Sequence, residues 1–235
     1  MWTFTLSTHE LSKVVWRRLF SEFSSEVELA RASLVAINDR LDRDRAAMAY
    51  QTGSISFASG MVLYFLTRKI MPTRVFEVGT FIGRSTAAML LAMDRNGTAD
   101  RMLYTCDLSN DFVMDTSAFK TTIKAMPRKG STEALQAAVA DGKTIDMFHL
   151  DGRLQGPDME MVAKLSHERT VFLLDDFEGI EKGVINAIYL RQNPKFANYF
   201  LIEPPLPEVL GPLGMHDRSI TALLVPPSVF QLTPQ

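Results

Sequence analysis

Three aspartates close two apolar runs of this chain. Phe148-His149-Leu150 runs into Asp151-Gly152-Arg153, and Val171-Phe172-Leu173-Leu174 runs into Asp175-Asp176. Short runs of this kind read as buried strands, so the acids fall at strand ends. Carboxylates gathered in this number need a cation or a hydroxyl to bind. Hard oxygen ligands suit Mg²⁺, with waters or substrate oxygens completing an octahedron. Asp151, Asp175 and Asp176 are therefore the expected metal ligands. His149 is in phase with Asp151 and is expected on the same side, as a satisfied core residue.

A second stretch could bind an anionic or nucleoside-like ligand. Arg74–Thr86 reads R-V-F-E-V-G-T-F-I-G-R-S-T. The run Val75–Val78 looks like a strand, and it breaks at Gly79 and Gly83 before a helical pattern begins. Gly79 allows a close backbone approach that a Cβ would block. The helix that follows points its free N–H groups toward negative charge. The spacing is neither the G-x-G-x-x-G of a dinucleotide loop nor the G-K-[ST] of a phosphate loop. Further on, Met102–Cys106 ends at Asp107, a carboxylate placed to accept both hydroxyls of a ribose. Cys106 has no adjoining cation and reads as a buried strand residue, not a nucleophile.

The order E-x-G-x-x-x-G, Asp107, F-H-L-D-G-R and L-L-D-D-F resembles the class I S-adenosylmethionine-dependent methyltransferases. It is similar in particular to the catechol and caffeoyl-CoA O-methyltransferases and to the macrocin-type sugar O-methyltransferases. The resemblance spans roughly residues 50–190. It implies S-adenosyl-L-methionine as cofactor, with Glu77 and Gly79 at its amino-acid end, Ser85 near its carboxylate, and Thr80 and Gly83 of the same turn among the cofactor-binding residues. It places Asp107 at the ribose and the Gly130–Glu133 turn, with Gly130 and Ser131, at the adenine; Leu108 and Asp151 join the cofactor-binding residues, and Arg153 would contact substrate or adenine. The polar break Thr52-Gly53-Ser54 would contact the methionine end. The catechol-type enzymes carry a Lys three residues after the first metal Asp, and the sugar-type tend to carry His. This chain has Leu154 there, so the resemblance assigns no general base, and Asp151 itself is the candidate proton acceptor.

The elements that must position these groups alternate. Strands are expected at Val75–Val78, Met102–Cys106, Ile123–Met126, Ile145–Leu150, Val171–Leu174, Tyr199–Ile202 and Ile220–Val225. Helices are expected at Ile55–Lys69 capped by Ser54, from Gly83, at Glu133–Asp141 capped by Ser131, at Asp158–Leu165 and at Ile180–Gln192. The pattern predicts an α/β fold: a doubly wound, mostly parallel, seven-stranded Rossmann-like methyltransferase sheet with an antiparallel last strand. Ligands bind such sheets outside the carboxyl ends of the strands. Residues 8–50 read as added helices, one with Leu11, Val14, Val15 and Leu19 on a face, the next with Val27, Leu29, Leu34, Ile37 and Leu41. Residues 1–53 are thus expected as a helical segment and 54–235 as the methyltransferase domain. The apolar helical faces predict a homodimer. A Pro- and Gly-rich loop, Glu203–Arg218, is expected to shape the substrate pocket.

Composition narrows the class. The 235 residues carry a net charge of −2, so no basic field favours nucleic acid. A single cysteine rules out an intrachain disulfide framework and suits a reducing compartment. Met1–Phe20 lacks a signal-type apolar core, and Met61–Leu66 is far too short to span a bilayer. A cytoplasmic enzyme acting on a small-molecule hydroxyl is expected, with Mg²⁺ assistance. Its rivals are a metal-independent methyltransferase acting on nitrogen or carboxylate, a nicotinamide-dependent oxidoreductase, and a non-catalytic relative.

Overall fold

The computed structural model describes residues 8–45 and 54–230. The elements follow in the order α1 (Thr8–Glu22), α2 (Val27–Arg45), α3 (Phe57–Ile70), β1 (Arg74–Val78), α4 (Arg84–Asn96), β2 (Met102–Asp107), β3 (Thr122–Pro127) and α5 (Ser131–Ala140). Then come β4 (Ile145–Leu150), α6 (Asp158–Leu165), β5 (Ser166–Leu174), α7 (Lys182–Gln192), β6 (Phe200–Ile202), α8 (Pro207–Leu210) and β7 (Ala222–Val225). The strands form one seven-stranded sheet in the order β3-β2-β1-β4-β5-β7-β6. Its first five members are parallel, and β7 runs antiparallel to both β5 and β6.

Strand alternation sorts the interior into two layers. Val75, Leu103, Met147, Val171 and Leu173 join the helices α1–α4 in one core. Phe76, Tyr104, Phe148 and Phe172 face the other way, in a core shared with α5, α6 and α7. Because side chains alternate with period two, Glu77, His149, Asp151 and Asp175 all fall on the α1–α4 side. The β4–β5 pairing is irregular at its start. Ile145 is opposite Ser166 but Met147 is opposite Val171, so two steps on β4 match five on β5. The edge strand β3 carries Lys124 and ends on Pro127, residues that discourage further strand pairing.

The N-terminal helices are covered by their own chain. Val15, Trp16, Leu19, Phe20, Ala30, Leu34 and Leu41 are buried in the core of α3 and α4. Trp16 Nε1 donates to the Glu203 carbonyl at 2.7 Å. Arg68 on α3 donates to Glu26 through two nitrogens, at 2.8 and 3.0 Å. Two residues assigned to the apolar faces are exposed instead, Val14 and Leu29. They fall at the margin of stripes narrower than the sequence pattern implied.

Three local expectations are corrected. The cap of α3 is Ser56, whose hydroxyl oxygen accepts the Ser59 N–H at 3.0 Å; Ser54 lies two residues too early. Ser131 is the first residue of α5, after Gly130, and its hydroxyl donates to Asp158 Oδ2 at 2.5 Å. The Glu203–Arg218 stretch is not plain loop, since it holds α8 and a 3₁₀ turn at Gly211–Leu213. Among the described residues no helix is long and apolar enough to cross a membrane.

Candidate active site

The turn after β1 is built on two left-handed glycines, Gly79 at φ +95° and Gly83 at φ +101°. Gly79 also has a neighbour the sequence did not foretell. A Cβ there would sit 2.8 Å from the Asp151 carbonyl oxygen, so the turn rests directly on the end of β4. Thr80 is buried, its hydroxyl against that of Thr105. Ser85 is buried in the first turn of α4. Asp107 joins two loops: Oδ2 accepts the Phe81 N–H at 2.8 Å and Oδ1 the Ser109 N–H at 2.7 Å. Each of its oxygens keeps a second lone pair for a ligand. Leu108 is exposed and stands close to Gly130, so the ends of β2 and β3 share one rim. Arg153 is exposed. Thr52 and Gly53 lie outside the described residues.

Glu77 is placed beneath this turn rather than on its open side. It is fully buried. Oε2 accepts from Thr86 Oγ1 at 2.5 Å and from Thr105 Oγ1 at 2.6 Å, and Oε1 lies 3.2 Å from His149 Nδ1. One carboxylate thereby ties β1 to β2, β4 and α4. His149 is wholly buried; burial lowers its pKa, but the hydrogen bond and charge of Glu77, with Asp175 and Asp151 beyond, outweigh this and raise it above the usual value.

The three aspartates do converge. One carboxylate oxygen from each of Asp151, Asp175 and Asp176 lies within 4.8 Å of the others. They line a cleft of about 270 Å³ together with Ser54, Ser56, Ser59, Lys182 and Arg218. Thr221 Oγ1 donates to Asp175 Oδ1 at 2.6 Å. Burial pushes the Asp151 carboxyl up to about 7, the neighbouring Asp175 charge adding to the shift while Lys182 and His149 oppose it. Asp175 is also raised, by burial first and by Asp176, against the pull of His149 and the Thr221 hydrogen bond. Asp176 adopts φ +50°, a left-handed conformation that Asp tolerates better than most residues.

Residues 76–177 match a family model described as a methyltransferase domain. That stretch of the chain is similar to a methyltransferase domain. The resemblance to class I S-adenosylmethionine-dependent methyltransferases that was read from the motif order is thereby borne out. Solved structures share the fold of this methyltransferase. An O-methyltransferase from Bacillus cereus in complex with SAH is 14% identical, with a TM-score of 0.61 over 81% of this chain and 90% of that one. The O-methyltransferase TomG from Streptomyces achromogenes, involved in tomaymycin synthesis and solved with SAM, is 17% identical with a TM-score of 0.58, covering 80% and 88%. CalS11, a TDP-rhamnose 3′-O-methyltransferase of calicheamicin biosynthesis, is 13% identical with a TM-score of 0.54, covering 81% and 93%. No curated protein sequence matches the chain.

Besides Arg218, the cleft holds a charged group that sequence reading missed. Lys182, in the first turn of α7, makes an ion pair with Asp151 Oδ1 and another with Asp176 Oδ2, the latter at 3.0 Å. Its Nζ also donates to the Asp151 carbonyl at 2.8 Å. Burial lowers the Lys182 pKa, but Asp151 and Asp176 more than compensate and raise it above its ordinary value. A signal existed in the sequence: a cation in the first turn of a helix opposes the macrodipole and calls for a specific carboxylate. Leu154, at the position where the resemblance would call for Lys or His, is buried in the second core, and its N–H donates to Asn186 Oδ1 at 3.0 Å. No functional side chain reaches the cleft from that position.

Proposed function

We propose that this methyltransferase transfers the methyl group of S-adenosyl-L-methionine to a hydroxyl oxygen of a small molecule. One observation carries the reading: the Gly79 turn is packed on the backbone of Asp151, which puts the cofactor loop and the acid cluster side by side. The glycine turn, the start of α4 and the remaining lone pairs of Asp107 fit the amino acid and ribose of the cofactor in chemical type. When bound, the cofactor supplies an electrophilic methyl on a sulfonium leaving group. The chain must align an acceptor oxygen and take its proton. Asp151, with its pKa near 7, is matched to accept a proton at neutral pH. Ser54, Ser56 and Arg218 line the same cleft and would contact the acceptor.

Mg²⁺ assistance is a second reading, favoured by the three carboxylate oxygens within 4.8 Å of one another. The donor type fits. The arrangement does not, because the Lys182 ammonium bridges Asp151 and Asp176; a dication there would have to displace it. The division at residue 53, a cytoplasmic location and a homodimer remain part of this proposal. The apolar faces that suggested the dimer are covered largely by the chain itself, and light scattering decides the point.

Calorimetric titration with S-adenosyl-L-methionine and, separately, with NAD(P) tests the cofactor. A methyl-transfer assay over hydroxyl, amine and carboxylate acceptors then tests the reaction. We expect S-adenosyl-L-methionine to bind and hydroxyls to be methylated. Binding of NAD(P) alone, or transfer confined to amines or carboxylates, refutes the reading.

A further inference from the structure

Lys182 is held at the acid cluster by more than its charge. An ammonium has three N–H donors, and three oxygens take them: Asp151 Oδ1, the Asp151 carbonyl and Asp176 Oδ2. One turn along the same face of α7, the fully buried Asn186 donates to the Gly152 carbonyl at 2.9 Å and accepts the Leu154 N–H. Residues four apart share a helix face, so Lys182 and Asn186 grip residues 151–154 together. Between them Gly183 lets the helix close in. A Cβ at that position would collide with the Asp175 carbonyl oxygen, so only glycine permits α7 to approach the end of β5 this closely. Three features of one helix thus converge on delivering an ammonium between Asp151 and Asp176.

We infer that Lys182 is the resident cation of the acid cluster: it neutralises and positions Asp151 and Asp176 in place of a divalent metal, so that methyl transfer here is metal-independent. Lys182 is a positioning residue, acting through Asp151 and not on the acceptor. The part concerning methyl transfer rests on the function proposed above; the part concerning metal exclusion does not.

The test separates the two. Mn²⁺ binding to the full-length protein is followed by electron paramagnetic resonance, for the wild type, Lys182→Met and Lys182→Arg, with circular dichroism reporting folding. A cation held in contact with the cluster repels an incoming dication strongly, so removing it should tighten Mn²⁺ binding at least about tenfold. The expected result is weak or no saturable binding in the wild type and in Lys182→Arg, and a new site in Lys182→Met. If Lys182→Met does not fold, the wild type and Lys182→Arg titrations decide alone, and tight Mn²⁺ binding by either overturns the inference. A folded Lys182→Met with no gain in affinity overturns it too. In the activity arm, wild-type methyl transfer should persist in excess chelator. Loss of transfer in chelator with recovery on Mg²⁺ addition overturns the inference but leaves the methyltransferase reading standing. Absence of transfer under every condition refutes that reading, while the Mn²⁺ titration still decides the role of Lys182.

Discussion

Replacing Glu77 with Gln probes whether this buried acid holds the site together from below. The substitution keeps the shape and removes the charge. Two hydroxyls, of Thr86 and Thr105, donate to Oε2 at 2.5 and 2.6 Å. Hydrogen bonds to a charged group are worth about 1.5–3 kcal/mol against about 1 for neutral pairs. Losing the charge therefore costs about 0.5–2 kcal/mol for each, or about 1–4 kcal/mol for the two. His149 adds a pH dependence. Its pKa is raised in the folded state, with Glu77 the main favourable partner. A raised histidine stabilises fully below its unfolded value of 6.5 and loses that contribution as pH rises through its folded value. The wild type should thus exceed Glu77→Gln in urea-unfolding free energy by more at pH 6 than at pH 9, with an unchanged m-value. A difference below about 0.5 kcal/mol, or one that is flat with pH, refutes the account of Glu77 as a buried tie between β1, β2, β4 and α4.

Three further outcomes are expected. Gly79→Val forces a β-branched residue to φ +95° with its Cβ 2.8 Å from the Asp151 carbonyl oxygen; it should lose about 3 kcal/mol or more of stability and S-adenosyl-L-methionine binding, and normal calorimetric binding would contradict the close packing. Asp107→Ala should weaken cofactor binding by about 1.5–3 kcal/mol, roughly ten- to a hundredfold, with an unchanged dissociation constant the contrary result. Methyl transfer should fall as pH drops through about 7, where Asp151 takes up its proton, and Asp151→Asn should abolish that limb. The same raised carboxyl affects folding in the opposite sense. The folded state holds the proton more tightly, so this group's contribution to stability declines as pH rises from about 4 to about 7.

What could be read in the sequence was what depends on local pattern. Apolar runs ending in an acid or a glycine gave β1, β2 and β4 to within a residue and the second half of β5, because a buried parallel strand has little choice of composition; the first five residues of β5, Ser166–Thr170, are polar and did not read as strand. The acids at 151, 175 and 176 followed from the same runs. What escaped depends on contacts between distant segments. Ser54 and Ser56 are equally good caps by type, and the fold selects Ser56, whose hydroxyl also donates to the Arg218 carbonyl at 2.8 Å. Ser131 looked like a cap because nothing local announces Asp158 as its partner. Lys182 escaped because its role requires α7 to return to the end of β4, and Gly183, which makes that return possible, reads in sequence only as a weak helix residue.

The uneven pairing of β4 with β5 separates two kinds of chain length. The three surplus residues within 167–170 are taken up at the end of the sheet remote from the cleft, before the regular ladder begins at Val171. Insertions or deletions there change the size of a bulge and leave the spacing of Asp151 and Asp175 as it is. Beyond Val171 there is no such slack. A single residue added between Val171 and Leu174 would advance Asp175 by about 3.3 Å and turn it to the opposite face of the sheet, emptying the cleft of one acid. Homologous chains can therefore drift in length at one end of this strand while the other end must be counted out residue by residue.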